Sequence, residues 1–301
     1  MGNDRLEGLI VPVVTPTDSN EMVDKASFRK LIRYLINNKA NGLFIGGSAG
    51  EGPLFTIKEW TKMMETAYVE NENAIPLLGG VADTSTMKVK EKIMILKSIG
   101  FKYFVLTPSY YYTLNNNEEF LRLFKECKEA GKDMEMIAYN IPSCTASVLP
   151  VDILCEMSKL GWISYCKESS GNITYLKELI DKGSKTGLKV LMGDEATMDK
   201  GLMLGACGIV PVCANYDPGT FIKLYSAAVK NDMDGLNSLQ ERVNLLKENL
   251  AKAGTCWIAG LKFAISCMGM GTGKPVSPLQ PLSMSEEEKV RDFVLTDKKL
   301  I

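Results

Sequence analysis

The residues of this chain that could do covalent chemistry stand at the ends of short apolar runs. Lys167 ends the run WISYCK, and the two-residue period of a strand places Ile163, Tyr165 and Lys167 on one face. Burial of an ammonium group disfavours its charged form, and a neutral amine is a nucleophile for carbonyl carbon. Lys167 is therefore a candidate for imine formation, although the spacing also fits a lysine that reaches solvent or pairs with Glu168 or Glu51.

A second candidate is the glycine-rich segment 46–52, GGSAGEG, which follows another apolar run. Four glycines in seven positions allow backbone N–H groups to converge on an anion, and the Ser48 hydroxyl can donate or accept a hydrogen bond. The segment contains no lysine and lacks the spacing of a nucleoside triphosphate loop. It therefore favours a single carboxylate as ligand, with a simple tight turn as the alternative.

Tyrosine is the candidate proton carrier, because the chain contains no histidine. Tyr139 ends an apolar run just before Asn-Ile-Pro, and Tyr110, Tyr111 and Tyr112 follow another. Imine chemistry needs a neutral group that moves protons to and from the substrate, and a phenol can do this. Each of these tyrosines could equally be a packing residue at the end of a strand.

The composition excludes several classes of function. Without histidine, Ser-His-Asp and Cys-His nucleophiles and histidine metal sites are impossible, and none of the eight cysteines forms a C-x-x-C pair, so we expect no metal. A net charge of -1 predicts no binding to nucleic acid or to anionic membranes. No apolar run approaches the ~18 residues of a spanning helix, and the first residues lack a signal peptide's apolar stretch. We therefore expect a cytoplasmic protein with reduced thiols.

The charged residues near strand ends are acidic rather than arginines. All six arginines fall in the N-terminal segment or in predicted helices, so a guanidinium clamp on a substrate carboxylate or phosphate is not expected at these strand ends. Four carboxylates do follow predicted strands: Glu51, Glu168, Asp194 and Glu195. A pair of them could serve a glycosidase, which is a competing hypothesis.

These residues must be positioned by a regular alternation of strands and helices. We predict strands at 9–15, 42–46, 76–81, 103–107, 135–139, 163–167, 190–193 and 208–212, separated by stretches with helical periodicity. Eight such units without a linker predict an α/β fold, a (β/α)8 TIM barrel whose active site lies at the C-terminal ends of the strands. A doubly wound sheet is the alternative, but the first strand lacks its G-x-G-x-x-G turn.

Beyond the eighth strand the alternation ceases. We predict helices at 221–230, 236–253, 258–268 and 283–294, with a turn rich in Gly, Pro and Ser at 269–281. The predicted division is therefore a barrel of residues 1–230 and a C-terminal helical extension of residues 231–301.

Taken together in this order, the motifs resemble those of the pyruvate-dependent class I aldolases typified by dihydrodipicolinate synthase and N-acetylneuraminate lyase. The resemblance covers nearly everything from residue 8 to residue 295. It rests on VTP (14–16), GSAGE (47–51), TPSYY (107–111), YNIP (139–142), CKESSGN (166–172) and Gly193-Asp194.

The resemblance implies roles for individual residues. Lys167 matches the Schiff-base lysine, and Tyr139 matches the phenol that relays protons to and from the imine and the aldol oxygen. Ser48 matches the hydroxyl that links this phenol to a second tyrosine, which aligns with Tyr110 and in the family reaches across a tight dimer interface.

The resemblance also implies a substrate site. Ser48 and Ala49 would supply N–H groups to the pyruvyl carboxylate, and Val210 would line the pyruvate pocket. Gly193, Ser169 and Asp194 complete the expected substrate site, and no metal or separate cofactor is implied.

The sequence departs from the family pattern at three positions. Cys144 stands where the lysine-pathway synthase has an arginine that binds its aldehyde's carboxylate, and loss of such a contact typically forfeits ~1.5–3 kcal/mol. Ala49 replaces a second hydroxyl. Ser109 replaces an aromatic residue before Tyr110, so Tyr111 is the alternative for the second tyrosine.

We therefore expect a lyase that cleaves or forms a 4-hydroxy-2-oxo acid, a 2-keto-3-deoxy sugar acid, with pyruvate and an aldehyde as its partners. Without an arginine at the site, the aldehyde half is expected to be neutral and hydroxylated, with Asp194, Glu195, Ser169, Thr145 and Tyr112 as hydrogen-bonding groups. The alternatives are the lysine-pathway synthase, an imine-forming dehydratase of a deoxy-oxo-sugar acid, and a non-catalytic protein that binds a keto acid. The family implies a homotetramer built from tight dimers.

Overall fold

The computed structural model describes residues 5–297, and in this range eight parallel strands close into one barrel. Each strand pairs with the next along the chain, and the eighth pairs with the first. The strands are β1 (Gly8–Pro12), β2 (Gly42–Ile45), β3 (Leu77–Gly80), β4 (Tyr103–Leu106), β5 (Glu135–Asn140), β6 (Ile163–Glu168), β7 (Lys189–Met192) and β8 (Gly208–Ile209). The predicted (β/α)8 barrel is confirmed.

Helices connect the strands and surround the barrel. Those that follow the eight strands are α1 (Lys25–Asn37), α2 (Ile57–Asn71), α3 (Thr86–Ile99), α4 (Asn117–Ala130), the short α5 (Pro142–Thr145) with α6 (Val151–Lys159), α7 (Ile173–Gly183), α8 (Met198–Leu204) and α9 (Pro218–Val229). Most begin at a residue whose side chain accepts hydrogen bonds from the first-turn N–H groups, which fixes where the helix starts. These N-caps are Asp24, Thr56, Ser85, Asn116, Asn172 and Asp217.

The apolar residues form two cores, as the two faces of each strand require. Side chains on one face pack inside the barrel, and those on the other pack beneath the helices. The interior cluster includes Ile10, Phe44, Leu78, Val105, Ile137, Tyr139, Tyr165, Leu191 and Val210. Because Tyr139 belongs to this interior cluster, its strand end opens on the mouth of the barrel.

The first and last strands are shorter than predicted. Sequence periodicity predicts strands 9–15 and 208–212, whereas β1 ends at Pro12 and β8 at Ile209. The side chain of fully buried Asn215 takes over hydrogen bonds at this junction, accepting from Val14 N at 3.1 Å and donating to the Pro12 carbonyl at 2.9 Å. A side chain thus replaces the strand ladder here, which periodicity cannot reveal.

The alternation along β6 is also broken once. Ile163 packs in the helix-facing core, whereas Tyr165 packs inside the barrel, so the prediction that both share a face with Lys167 is wrong for Ile163. The register with β5 shifts between Met136 and Ile137, which leaves one extra residue on β6. From Tyr165 onward the alternation is regular, and it carries Lys167 to the inward face.

The C-terminal part continues in helices that pack on the barrel. They are α10 (Met233–Leu246), a π-helical segment (Lys247–Ala251), α11 (Trp257–Cys267) and α12 (Met284–Asp297). The predicted helix 236–253 is thus interrupted by the π-helical segment. The division at residue 230 stays a prediction, and residues 1–4 and 298–301 of the two predicted units lie outside the described residues.

The described part of the chain contains no helix with the length and apolar character needed to cross a membrane. No disulfide joins any of the eight cysteines, which all lie within residues 5–297.

Candidate active site

Lys167 and Tyr139 face each other across neighbouring strands at the mouth of the barrel. They are register partners on β6 and β5, and both side chains are buried. The Lys167 Nζ lies 4.1 Å from the centroid of the Tyr139 ring and 4.9 Å from that of the Phe44 ring. Tyr139 packs edge-on against Phe44, with ring centroids 6.1 Å apart. The amine is therefore held against aromatic faces, with the phenol beside it.

The carboxylates that could have neutralised Lys167 are engaged elsewhere. Glu51 contacts Lys262 Nζ at 2.5 Å, and both side chains are almost completely buried. Glu168 accepts a hydrogen bond from Asn140 Nδ2 at 2.6 Å, and burial raises the pKa of its carboxyl. Within residues 5–297, no carboxylate lies within 4.0 Å of the Lys167 ammonium nitrogen, so the ion-paired alternative is wrong.

The glycine-rich loop lies against this pair. Ser48 Oγ is 3.5 Å from the Tyr139 hydroxyl, a long contact through which a proton could pass. In the described structure, neither the Ser48 N–H nor the Ala49 N–H donates to a protein acceptor. Gly52 must be a glycine, because a Cβ there would stand 2.0 Å from the Gly46 carbonyl oxygen. The fold of the loop thus leaves two N–H groups available to an anion.

The remaining predicted substrate residues line one cavity with Lys167. This cavity of about 360 Å³ also contains Ser48, Ala49, Ser169, Gly193, Asp194 and Val210, and its volume lies in the range of small-molecule sites. A Cβ on Gly193 would stand 2.0 Å from Ser169 Oγ and 3.1 Å from Lys167 Cε. Glycine at this position therefore makes room for the lysine side chain.

The three tyrosines after β4 take different positions. Tyr110 is half-buried and lines a second cavity of about 290 Å³ on the other side of Tyr139 and Ser48, together with Cys144 and Thr145. Tyr111 has a left-handed backbone, with φ of 76°, and is 84% exposed. Tyr112 is also exposed and packs edge-on against Tyr111. Within the chain, Tyr110 is therefore the one of the three that reaches the site.

The two acidic residues expected to bind hydroxyls are engaged in local structure. Asp194 accepts hydrogen bonds from Ala196 N at 3.3 Å and from Thr197 Oγ1 at 2.8 Å. Glu195 is buried and accepts a hydrogen bond from Cys213 N at 2.7 Å. Burial raises the pKa of Glu195, and this hydrogen bond opposes the shift.

Sequence reasoning missed the residues that the C-terminal part adds to the site. Lys247, Ala251 and Lys252, at the π-helical segment, line the cavity of Lys167, and Trp257 of α11 lines both cavities. No arginine lines either cavity within residues 5–297, as predicted. The only signal in the sequence is the two lysines of the predicted helix 236–253, and periodicity does not indicate which end of the barrel that helix covers.

Groups of three or more His, Cys, Asp or Glu side chains that could hold a metal ion are absent from the described part of the chain.

The chain is similar to proteins of one family throughout its length. The sequence profile of the dihydrodipicolinate synthetase family matches residues 5–296. A 4-hydroxy-tetrahydrodipicolinate synthase of Ralstonia nicotianae is 26% identical over 95% of this chain and 96% of its own, and N-acetylneuraminate lyase 2 of Escherichia coli is 26% identical over 92% and 89%. The solved dihydrodipicolinate synthase of Acinetobacter baumannii, complexed with pyruvate, superposes with a TM-score of 0.88 at 26% identity, covering 99% of this chain and 100% of that one.

Proposed function

The chain belongs to the dihydrodipicolinate synthetase family, and we propose that it is an aldolase that cleaves a 4-hydroxy-2-oxo acid to pyruvate and an aldehyde, or forms it from them. Members of this family are pyruvate-dependent lyases and aldolases that form a Schiff base. The proposed substrate is a 2-keto-3-deoxy sugar acid, and the imine on Lys167 takes the place of a cofactor.

The observation that carries this proposal is the environment of Lys167. Its amine is buried beside the Tyr139 phenol, has no carboxylate partner within the described residues, and shares a cavity with Ser48 and Ala49. A substrate carboxylate bound by the two free N–H groups of the loop would present its carbonyl carbon to the amine. Such positioning can supply ~7–11 kcal/mol of the barrier in favourable cases.

The proposed reaction proceeds through a covalent imine between Lys167 and the substrate. The Lys167 amine adds to C2 of the 2-oxo acid, and Tyr139 gives its proton to the resulting hydroxyl, which leaves as water to form a protonated imine. The Tyr139 phenolate then accepts the proton of the C4 hydroxyl, the C3–C4 bond breaks, and its electron pair neutralises the imine as an enamine. The aldehyde leaves, a proton returns to C3, and addition of water to the imine releases pyruvate and the free amine.

A second copy of the chain is proposed to complete the site. Tyr110 already packs in its own chain's second cavity, whereas Tyr111 is exposed and has a left-handed backbone, which costs a tyrosine free energy. We therefore assign to Tyr111, rather than Tyr110, the role of the tyrosine that crosses a dimer interface toward the partner's Ser48 and Tyr139. A homotetramer of such dimers in a reducing, cytoplasmic compartment remains a prediction.

A second candidate function is 4-hydroxy-tetrahydrodipicolinate synthesis, because several of the similar proteins carry that name. Cys144 argues against it, since this side chain lines the second cavity where the family pattern has an arginine.

The test is an assay of pyruvate release from a panel of 2-keto-3-deoxy acids, run beside condensation of pyruvate with aspartate semialdehyde. We expect at least one panel member to be cleaved with a higher kcat/KM than the condensation shows, and Lys167→Ala to lose both activities. A dominant condensation would favour the synthase. Substrate loss without pyruvate would indicate a dehydratase, and binding without turnover a non-catalytic protein.

A further inference from the structure

The cavity of Lys167 contains two further amines, which come from a part of the chain far from the strands. Lys247 and Lys252 stand at the start of the π-helical segment and just after its end. A π-helical turn changes the direction of side chains relative to an α-helix and is frequent at functional sites. Both lysines line the cavity that also contains Ser169, Gly193 and Lys167.

The ammonium of Lys247 forms one long ion pair, and its N–H donors have no hydrogen-bonded partner within residues 5–297. Its nearest acidic neighbour is Asp194, whose Oδ1 is 3.6 Å from Nζ, beyond hydrogen-bonding distance. The Asp194 carboxylate already accepts from Ala196 N and Thr197 Oγ1. Within residues 5–297, Lys247 makes no side-chain hydrogen bond, and its side chain is 25% exposed. Three N–H donors thus face a partly enclosed space.

Lys252 differs from Lys247 in its ion-pair partner and in its exposure. Its Nζ contacts the carboxylate of Glu248 one helical turn earlier, and both side chains are more than half exposed. An exposed pair of this kind is solvated and contributes little to binding. Lys252 therefore offers a matched control for Lys247, with the same charge in the same segment.

The two carboxylates near Lys247, those of Glu195 and Asp194, are engaged in other hydrogen bonds. Glu195 is buried with its carboxyl bonded to Cys213, and burial raises its pKa, which favours its uncharged form. Asp194 is held by the turn that it caps. Within residues 5–297, the only ion pair of Lys247 is thus the long one with Asp194, and its N–H groups have no hydrogen-bonded acceptor.

We propose that Lys247 binds an anionic group, a carboxylate or a phosphate, at the far end of the aldehyde half of the substrate. This inference rests on the proposed function and names the substrate class more narrowly: a 2-oxo acid whose 1-carboxylate lies at Ser48 and Ala49 and whose other end is also charged. It revises the expectation of a neutral aldehyde half, which considered only arginines near the strand ends. In a partly desolvated cavity, an ammonium–anion contact is stronger than in water.

The experiment compares charged and neutral aldehydes of similar length in condensation with pyruvate. Glyceraldehyde 3-phosphate is paired with glyceraldehyde, and succinic semialdehyde with butyraldehyde. We expect wild-type kcat/KM to favour at least one anionic member over its neutral partner. In Lys247→Met this ratio should fall by about tenfold to a hundredfold, as expected for hydrogen bonds to a charged group. Lys252→Met should keep the wild-type ratio.

The aldehyde pair whose kcat/KM ratio falls in Lys247→Met shows whether the bound group is a phosphate or a carboxylate. Calorimetric binding of glycerol 3-phosphate and of 4-hydroxybutyrate needs no turnover, and at least one should bind to the wild type and weaken in Lys247→Met only. The proposal is overturned if neither anion binds to the wild type, or if Lys252→Met changes the ratio as much as Lys247→Met does. Borohydride trapping of pyruvate in Lys247→Met tests folding and the proposed function separately: adduct on Lys167 with an unchanged ratio overturns this inference alone.

Discussion

At the scale of single residues, reactivity depends on what surrounds the Lys167 amine. Within residues 5–297 the Lys167 amine lies over the faces of the Tyr139 and Phe44 rings rather than against a carboxylate, so no ion pair holds it away from a carbonyl carbon. Glu51 and Glu168, which each belong to one of the site motifs, are bonded to Lys262 and Asn140. The same bonds leave neither carboxylate free for glycosidase chemistry.

Removal of the Tyr139 hydroxyl should separate binding from turnover. Tyr139→Phe keeps the ring that packs against Phe44 and Lys167 but loses the hydroxyl that we propose carries protons. We expect pyruvate still to form its adduct with Lys167, while turnover falls by ~10²–10⁴-fold, the range for a lost general acid or base. Steady-state kinetics and borohydride trapping on the same preparation measure the two effects. Equal turnover in both proteins would contradict the role of the phenol.

At the scale of elements, the C-terminal part of the chain holds the glycine-rich loop in place. Lys262 of α11 bonds to Glu51, which ends the glycine-rich loop in a left-handed conformation, and the other carboxylate oxygen of Glu51 accepts from Val276 N at 2.6 Å. Burial lowers the pKa of Lys262, and the charge of Glu51 opposes the shift. The barrel mouth is therefore tied to a segment more than two hundred residues away in sequence.

Breaking this buried pair should destabilise the protein strongly. Lys262→Met leaves the buried Glu51 side chain without its partner, so the free energy of unfolding should fall by about 3–5 kcal/mol in urea denaturation. Lys97→Met is the matched control, because the Lys97–Asp133 pair is exposed and its loss should cost at most ~1 kcal/mol. The double variant Glu51→Gln, Lys262→Met should recover part of the loss. A cost for Lys262→Met no larger than for Lys97→Met would show that the pair is not structural.

The sequence predicts some elements of this molecule and not others. Eight strands follow from apolar runs, because each is buried on both faces and bounded by polar residues, and Lys167 and Tyr139 follow from their strand ends. The bulge on β6 and the closure at Asn215 do not, because one extra residue or one side chain replaces a regular ladder. The position of Lys247 in the cavity cannot be predicted from the sequence either, because it depends on how α10 packs over the barrel.

At the scale of the whole molecule, the buried acid Glu195 links stability to pH. Its pKa is raised by burial above the ordinary 4.5, against the Cys213 N–H and the charge of Lys247, while Asp194 adds to the rise. The folded state therefore holds this proton more tightly than the unfolded state. Its contribution is complete below about pH 4.5 and is lost as the pH rises through the folded-state pKa.

The variant Glu195→Gln should remove this dependence. The difference in unfolding free energy, wild type minus variant, should decrease between about pH 5 and about pH 8, measured by urea denaturation at both values. Glu168, whose pKa is also raised by burial, titrates in both proteins and cancels. A difference that grows with pH would contradict the burial argument.

The assembly can be tested by mixing two inactive variants. If Tyr111 of one subunit completes the site of its partner, Lys167→Ala and Tyr111→Phe subunits should restore activity after exchange, since the mixed dimer contains one complete site. Random exchange between two-fold dimers would give up to about a quarter of the wild-type rate. The same mixture of Lys167→Ala and Tyr110→Phe is the control. Absence of recovery in a mixture shown to contain mixed dimers would exclude the crossing role of Tyr111.

The most direct test of the account is reduction of the protein with borohydride in the presence of pyruvate, followed by peptide mass spectrometry. We expect one pyruvyl group, reduced to a secondary amine, on Lys167 and on no other lysine, and no adduct in Lys167→Ala. An adduct on Lys247 or Lys262 instead, or none in the folded wild-type protein, would contradict the claim that the amine held against Tyr139 and Phe44 is the nucleophile.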